Sequence, residues 1–424
     1  MTTSALPRTA GADPSSSSPA PPPPPSAYVR DYLARLRGGD MGVLPALTGL
    51  LGLCTAFSIM RPRFLTAGNF ANLFTQGAAV TVIAMGLIFV LVLGEIDLSA
   101  GFASGVCAAV AAELMDSHGT PWYLAVGAAL LTGVHSGLAI GLLVAKQGIP
   151  SFVVTLGGFL AFQGVLLMIV ENGKNVPVRD DTILAIANKN VTPWLGWVLA
   201  AATVAAFALV QFAHVRNRSR RGLTTVPVTV VGARVAAVAA LLGVGVYILN
   251  QERSRNAAIV SLKGVPIVVP ILAVLLVVGT FVLRRTAYGL SLYAVGGNRE
   301  AARRAGINVD RVRISAFVIC STMAAIGGIV AASRANSVDP NTGGSNVLLY
   351  SVGAAVIGGT SLFGGKGRVL DAVIGGAVVA VIDNGMGLMG YSAGVKYVVT
   401  GSVLLLAAGV DALSRKRAEA TGLR

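Results

Sequence analysis

The chain has 424 residues and a formal charge of +15; 54% of it is hydrophobic and only 12% is charged, against about 25% charged in an ordinary soluble domain. That excludes a soluble globular protein, because the apolar residues arrive in long runs near the roughly 20 residues needed to cross a bilayer as a helix. With no soluble domain to carry a basic face, the positive charge does not point to a nucleic-acid partner.

Residues 1–40 come first. Ser15 to Ser18 and Pro21 to Pro25 belong to a Pro/Ser-rich stretch that cannot build a core, so it is expected to be disordered. Tyr28, Tyr32, Leu33 and Leu36 then share one helical face, the pattern of a short interfacial helix. The first apolar run is not followed by a small-residue cleavage site, so no secretory signal is expected.

A membrane domain over 41–413 follows, predicted as all-α and polytopic with about twelve spans. They fall near 43–60, 77–93, 98–113, 121–144, 150–171, 193–213, 229–249, 265–285, 313–333, 348–363, 369–386 and 394–412. A basic tail, 414–424, closes the chain. Twelve spans put both termini on one side. Placing that side in the cytoplasm leaves most of the 33 Lys and Arg residues inside, as the positive-inside rule requires. The 52 glycines include steps such as Gly353-Ala354-Ala355, Gly358-Gly359 and Gly375-Gly376-Ala377 and imply close helix packing. Cys54, Cys107 and Cys320 all fall in apolar runs and read as small packing residues, not as metal ligands or a disulfide.

Glu95 and Asp97 interrupt the second and third spans at Gly94-Glu95-Ile96-Asp97. A charge at that depth costs at least about 2.5 kcal/mol, so it needs a cavity or a partner. The carboxylates either cap the next helix or belong to a cytoplasmic-side feature of a translocation path, and the two roles are compatible. Asp371 and Asp383 are the late acids, with Lys366, Arg368 and Lys396 as nearby cations.

The basic loop 284–312 holds strong helix formers between Gly297 and Gly306, with Asn298 as N-cap and Gly306 as C-cap. A short, doubly capped basic helix on the cytoplasmic face suits docking into a partner's groove; the plainer alternative is a positive-inside anchor.

Glu300-Ala301-Ala302 followed by Gly306 resembles the coupling motif of ABC importer permeases, although Ala316 stands where that motif has Ile. The elements GEIDLS (94–99), PSFVVTLGG (150–158), YAVGGNREAARRAGINVDRVR (293–313), VIGGTSLFGGKG (356–367) and DNGMGLMG (383–390) resemble, in order, the monosaccharide permeases of bacterial ABC importers. The resemblance runs from about residue 64 to 413. The last element, and an additional membrane pair near 193–249 beyond a core of about ten spans, resemble the xylose-type branch.

The resemblance implies alternating access in the bacterial cell membrane, with Asn298, Arg299, Glu300, Ala301, Ala302, Arg303, Arg304 and Gly306 as the coupling surface. It implies a cytoplasmic ATPase, an extracytoplasmic sugar-binding protein, a second permease chain (a homodimer) and surrounding lipid. No cofactor is expected on this chain, since ATP and Mg are used by the ATPase. The stretch Gly359 to Gly367 is no phosphate loop, because Gly367 follows Lys366 where Ser or Thr is needed. There is likewise no catalytic triad or metal cluster to suggest an enzyme. Translocation-path candidates are Asn72, Gln76, Glu95, Asp97, Thr155, Gln163, Ser345, Asn346, Asp383 and Asn384, each of which also suits a helix cap or an interhelical hydrogen bond. Ribose or galactose as the sugar, an ion-coupled secondary transporter, and an assembly protein without a substrate path are the alternatives.

Overall fold

The computed structural model describes residues 44–420, apart from 172, 224–225, 255 and 257–260, and of residues 345, 411 and 414–420 it describes the backbone only. The segment expected over 1–40 and the last four residues of the tail lie outside the described residues.

Among the described residues there are fifteen helices: α1 (Leu44–Met60), α2 (Ala67–Val92), α3 (Ala100–Asp116), α4 (Trp122–Ala145), α5 (Ser151–Ile169), α6 (Asp181–Asn188), α7 (Pro193–Arg220), α8 (Val228–Leu249), α9 (Val268–Arg285), α10 (Ala287–Gly297), α11 (Arg299–Arg304), α12 (Val309–Ala335), α13 (Ser345–Ile357), α14 (Val369–Leu388) and α15 (Ala393–Ala420). Nine of them are long and apolar enough to cross a membrane; α1 and α13 are shorter and apolar. Each of the twelve expected spans falls on a helix. Two bounds move. Helix α2 starts ten residues early, because the Thr66 hydroxyl accepts from Asn69 N–H and opens the helix there. Helix α13 ends at Ile357, where Gly358 and Gly359 start a turn. The last helix continues to Ala420, through most of the expected tail.

Residues 197–245, most of α7 and α8, cluster as a unit separate from the rest of the described chain. This is the additional pair. Only 6% of the most apolar stretch of either helix is buried, as suits helices facing lipid.

The larger unit (38–196 and 246–424) is organised around α2 and α12. Helix α2 is 83% buried over its most apolar stretch. Helix α12 packs on α2, α3 and α4, and α14 packs on α1, α2 and α13. Lipid is as apolar as a side chain, so these contacts depend on close approach. On α4, Ala125, Ala129, Gly133, Gly137 and Gly141 recur every fourth residue and are all buried. A Cβ at Gly137 would stand 2.5 Å from the Phe317 carbonyl oxygen of α12, so the two backbones touch where no side chain fits.

The basic loop 284–312, Lys146, Lys366 and Arg368 mark one end of this unit; Lys146 bonds Asp310 across it at 3.2 Å. The positive-inside rule assigns that end to the cytoplasm. The other end carries a two-residue antiparallel pair, Val176–Pro177 with Ser337–Val338, and helix α6 lies on α12 there.

Candidate functional site

Two polar constellations occupy opposite ends of α2. At the cytoplasmic end, Val92 closes the helix and Gly94, at φ +72°, turns the chain into the break. Its orphaned carbonyls find partners: the Val92 oxygen accepts from Gly365 N–H at 2.8 Å. Gly364 and Gly365 lie at φ +84° and +73°, which lets the glycine-rich turn come this close.

Inside the break, the two carboxylates do different work. Asp97 is fully buried and accepts from Ser99 N–H (2.9 Å) and Ser99 Oγ (2.6 Å) where α3 begins. Glu95, also buried, points the other way. Its Oε1 accepts from Arg313 Nε (2.9 Å) and Nη2 (2.7 Å) on α12, and from Arg299 Nη2 (2.5 Å) on α11. Thr155 is not free for a ligand, since its hydroxyl contacts the Ser151 (2.9 Å) and Ile96 (3.2 Å) carbonyls and ties α5 to the break.

Helix α11 forms where the short basic helix was expected. Asn298 Oδ1 accepts from Ala301 N–H at 2.9 Å, and Gly306, at φ +84°, donates to the Arg303 carbonyl at 3.0 Å. Ala302 is buried against the core, while Arg299, Glu300, Ala301, Arg303 and Arg304 are exposed. One apolar residue roots the helix and its remaining faces stay open.

The extracytoplasmic end, about 24 Å along α2 from Val92 by helical rise, gathers Asn72, Gln76, Asp383 and Asn384. Gln76 donates to Asp383 through Nε2 and accepts from Asn384 Nδ2 at 3.2 Å. Lys396 of α15 bonds Asp383 at 3.0 Å, and Arg334 of α12 lines the same space. Two cavities of about 240 and 550 Å³ share Asn72, Gln76 and Arg334 as walls. Asn384 Oδ1 is buried with no hydrogen-bond partner among the described residues.

Other candidates lie elsewhere. Asn346 is exposed and donates to Tyr397 Oη at 2.6 Å; Gln163 is half-buried on α5; the Ser345 side chain lies outside what is described. The sequence reading passed over Arg334 and Asn188. Asn188 lines the larger cavity because its Nδ2 bonds the Ser333 carbonyl (2.6 Å) and Asn336 Oδ1 (2.9 Å). It ends α6, which is too short to register as a span; the signal available was Asp180, whose carboxylate caps α6 through Thr182 and Ile183 N–H.

The family model described as branched-chain amino acid transport system / permease component matches residues 69–187 and 181–408, nearly all of the membrane domain and both constellations. The chain belongs to this family. It is thus the permease component of a transport system, a multi-pass protein of the bacterial cytoplasmic membrane. The permease is 37% identical over 355 residues to the xylose transport system permease protein XylH of Escherichia coli (strain K12), covering 84% of this chain and 87% of that one. It is 32% identical to XylH of Haemophilus influenzae (90% and 99% covered) and 29% identical to the ribose import permease protein RbsC of Escherichia coli (strain K12) (86% and 92% covered). No solved structure matches it.

Proposed function

We propose that this chain is the permease subunit of an ATP-driven importer of a monosaccharide, D-xylose in the first place. The observation that carries the proposal is α11, capped at both ends, rooted through Ala302 and bonded through Arg299 to Glu95 at the break between α2 and α3. A cytoplasmic ATPase that grips α11 thereby acts on α2, whose far end carries the polar cavity. Nucleotide binding moves the bundle only by favouring one of its states, so the chain itself needs no catalytic residue or cofactor. ATP and Mg belong to the ATPase.

At the extracytoplasmic end, Asn72, Gln76, Asn384 and Asn188 offer amides of the kind that bond sugar hydroxyls, with Asn384 Oδ1 unpartnered. Asp383 and Lys396 form an ion pair, and Arg334 beside them leaves the described lining one charge positive. An extracytoplasmic binding protein delivers the sugar, and a second identical chain completes the path. Xylose is preferred over ribose because identity to the xylose permeases, at 37% and 32%, exceeds the 29% to the ribose permease.

The test is capture of the tagged permease from mildly solubilised membranes, followed by uptake of labelled xylose and ribose in vesicles holding the whole system. An ATPase recovered with the wild type and lost with Glu300→Lys, together with ATP-dependent xylose uptake, supports the proposal. Uptake that follows an ion gradient and ignores ATP overturns it.

A further inference from the structure

One end of the α7–α8 pair carries a charge that nothing in the pair balances. Arg216, Arg218, Arg220 and Arg221 stand at the end of α7, and Arg234 follows on α8; all five are exposed. No Asp or Glu lies between Asp181 and Glu252 in the sequence. Among the described residues, no hydrogen bond or ion pair engages any of these five guanidinium groups. Other cations of the cytoplasmic side are neutralised within the protein: Lys146 by Asp310, Arg313 by Glu95, Arg303 by Glu300 and Arg368 by Asp371.

The end of α7 is ordered by its own backbone. Leu223 N–H donates to the Arg218 carbonyl at 3.1 Å and Gly222 N–H to the Ser219 carbonyl at 3.0 Å, with Gly222 at φ +66°. This is a Schellman cap, and it fixes the helix end without using the arginine side chains. Depth follows from the helix. Trp197, exposed near the start of α7, marks the outer interface, where tryptophan is favoured. Residues 197 to 216 span about 28 Å by helical rise, close to the roughly 30 Å of hydrocarbon. Arg216 therefore stands at the inner hydrocarbon boundary, with Arg218, Arg220 and Arg221 among the headgroups. Arg234 lies about 9 Å along α8 from Val228, on a helix that is almost wholly exposed. A lone charge so placed is costly unless an anion reaches it.

We infer that this end of the α7–α8 pair is a binding surface for anionic phospholipid of the inner leaflet. Clustered arginines immediately beyond a spanning helix attract anionic headgroups through the surface potential and bond phosphate oxygens directly. The positive-inside rule accounts for the side on which these cations lie, but not for a cluster without a single carboxylate on an ordered helix end. Depth selects lipid over a soluble acidic protein, because Arg216 at the hydrocarbon boundary and Arg234 within it are beyond the reach of a partner in water. Leu223, exposed directly after the cap, adds an apolar contact at the same level. The inference does not depend on which solute the permease carries.

The test uses the full chain, purified in mild detergent, stripped of lipid and examined by native mass spectrometry. The probes are phosphatidylglycerol and phosphatidylethanolamine, added separately. The wild type is expected to retain phosphatidylglycerol about tenfold more than phosphatidylethanolamine. Arg218→Gln, Arg220→Gln and Arg221→Gln together are expected to abolish that preference, and Arg234→Gln alone to lower it. The control removes three other exposed cations of the cytoplasmic side, by Arg285→Gln, Arg304→Gln and Arg311→Gln, and is expected to keep the preference. Thermal unfolding checks that each variant is folded. The cap at Gly222 uses backbone atoms only, so glutamine leaves it intact; Arg218→Gln with Arg221→Gln replaces the triple variant if that one does not fold. Equal retention of both lipids by the wild type overturns the inference. So does an equal loss of preference in the cluster variant and the control, which leaves only a diffuse inside charge. Unchanged lipid retention in the cluster variant, with capture of the ATPase lost, also overturns it and assigns the arginines to a soluble partner.

Discussion

Glu95 accepts two hydrogen bonds from the guanidinium of Arg313, at 2.9 and 2.7 Å, although 218 residues separate them in the chain. The pair joins the break after α2 to the first turns of α12, and Arg299 extends it to α11 at 2.5 Å. The side chains of Glu95 and Arg313 are 6% and 12% exposed, whereas that of Arg299 is 43% exposed. Burial decides what each bond is worth.

Removing one partner of the buried pair strands the other charge. Glu95→Ala or Arg313→Ala is expected to destabilise the protein by about 3 kcal/mol, and the double variant by less than the sum. Arg299→Ala, at the exposed position, is expected to cost under about 1 kcal/mol while still lowering ATP-driven uptake. Unfolding in detergent and vesicle uptake separate the two effects.

Helix α11 is only six residues long, so its caps matter. Asn298→Ala is expected to cost about 1 kcal/mol of local stability and to weaken ATPase capture. Asn298→Asp keeps the acceptor for Ala301 N–H and is expected to retain capture. Loss of capture in both variants assigns Asn298 to the partner contact itself.

On α4, Gly137→Leu pushes a side chain into the Phe317 carbonyl and is expected to destabilise by about 3 kcal/mol. Gly127, on the same helix, has nothing within 4 Å of its Cβ position. Gly127→Leu is expected to leave the unfolding temperature near that of the wild type.

Gln76→Ala and Asn384→Ala are each expected to raise the KM for sugar uptake about tenfold, the loss of one sugar hydrogen bond, without changing ATPase capture. Unaltered uptake kinetics in both would remove the extracytoplasmic cavity from the path.

The loop between α8 and α9 carries a pH-sensitive clasp. Glu252 accepts from the N–H groups of Ser254 and Leu262 and from the Ser261 hydroxyl, which lower its pKa from 4.5 to about 2. The folded value is the depressed one, so its stabilisation is complete above 4.5 and is lost as pH falls towards 2. Hydrogen exchange of the Leu262 amide is expected to lose protection over that window in the wild type, and to be unprotected and insensitive to it in Glu252→Ala.

How much of this was legible beforehand varies by residue. Asn298 and Gly306 were readable as caps because capping depends on neighbours within a few positions. The joint presence of Asn72, Gln76, Asp383 and Asn384 on a translocation path was expected from polarity, but not that they share one cavity while Thr155 is tied to Ile96. Glu95 and Asp97 read as a matched pair; Asp97 caps α3 and Glu95 binds Arg313.

Composition, run length and the spacing of caps determined by themselves that this is a polytopic helical protein with a short, capped basic helix, because those features depend on local chain chemistry and on the thickness of a bilayer. Which carboxylate met which guanidinium, that Gly133, Gly137 and Gly141 face α12, and that Arg334 and Asn188 enter the outer cavity were decided only by tertiary structure. In a membrane nearly every helix is apolar all round, so hydropathy does not mark the face that packs. Where helices approach closely enough to exclude side chains, and where distant charges must be neutralised, depends on how they cross.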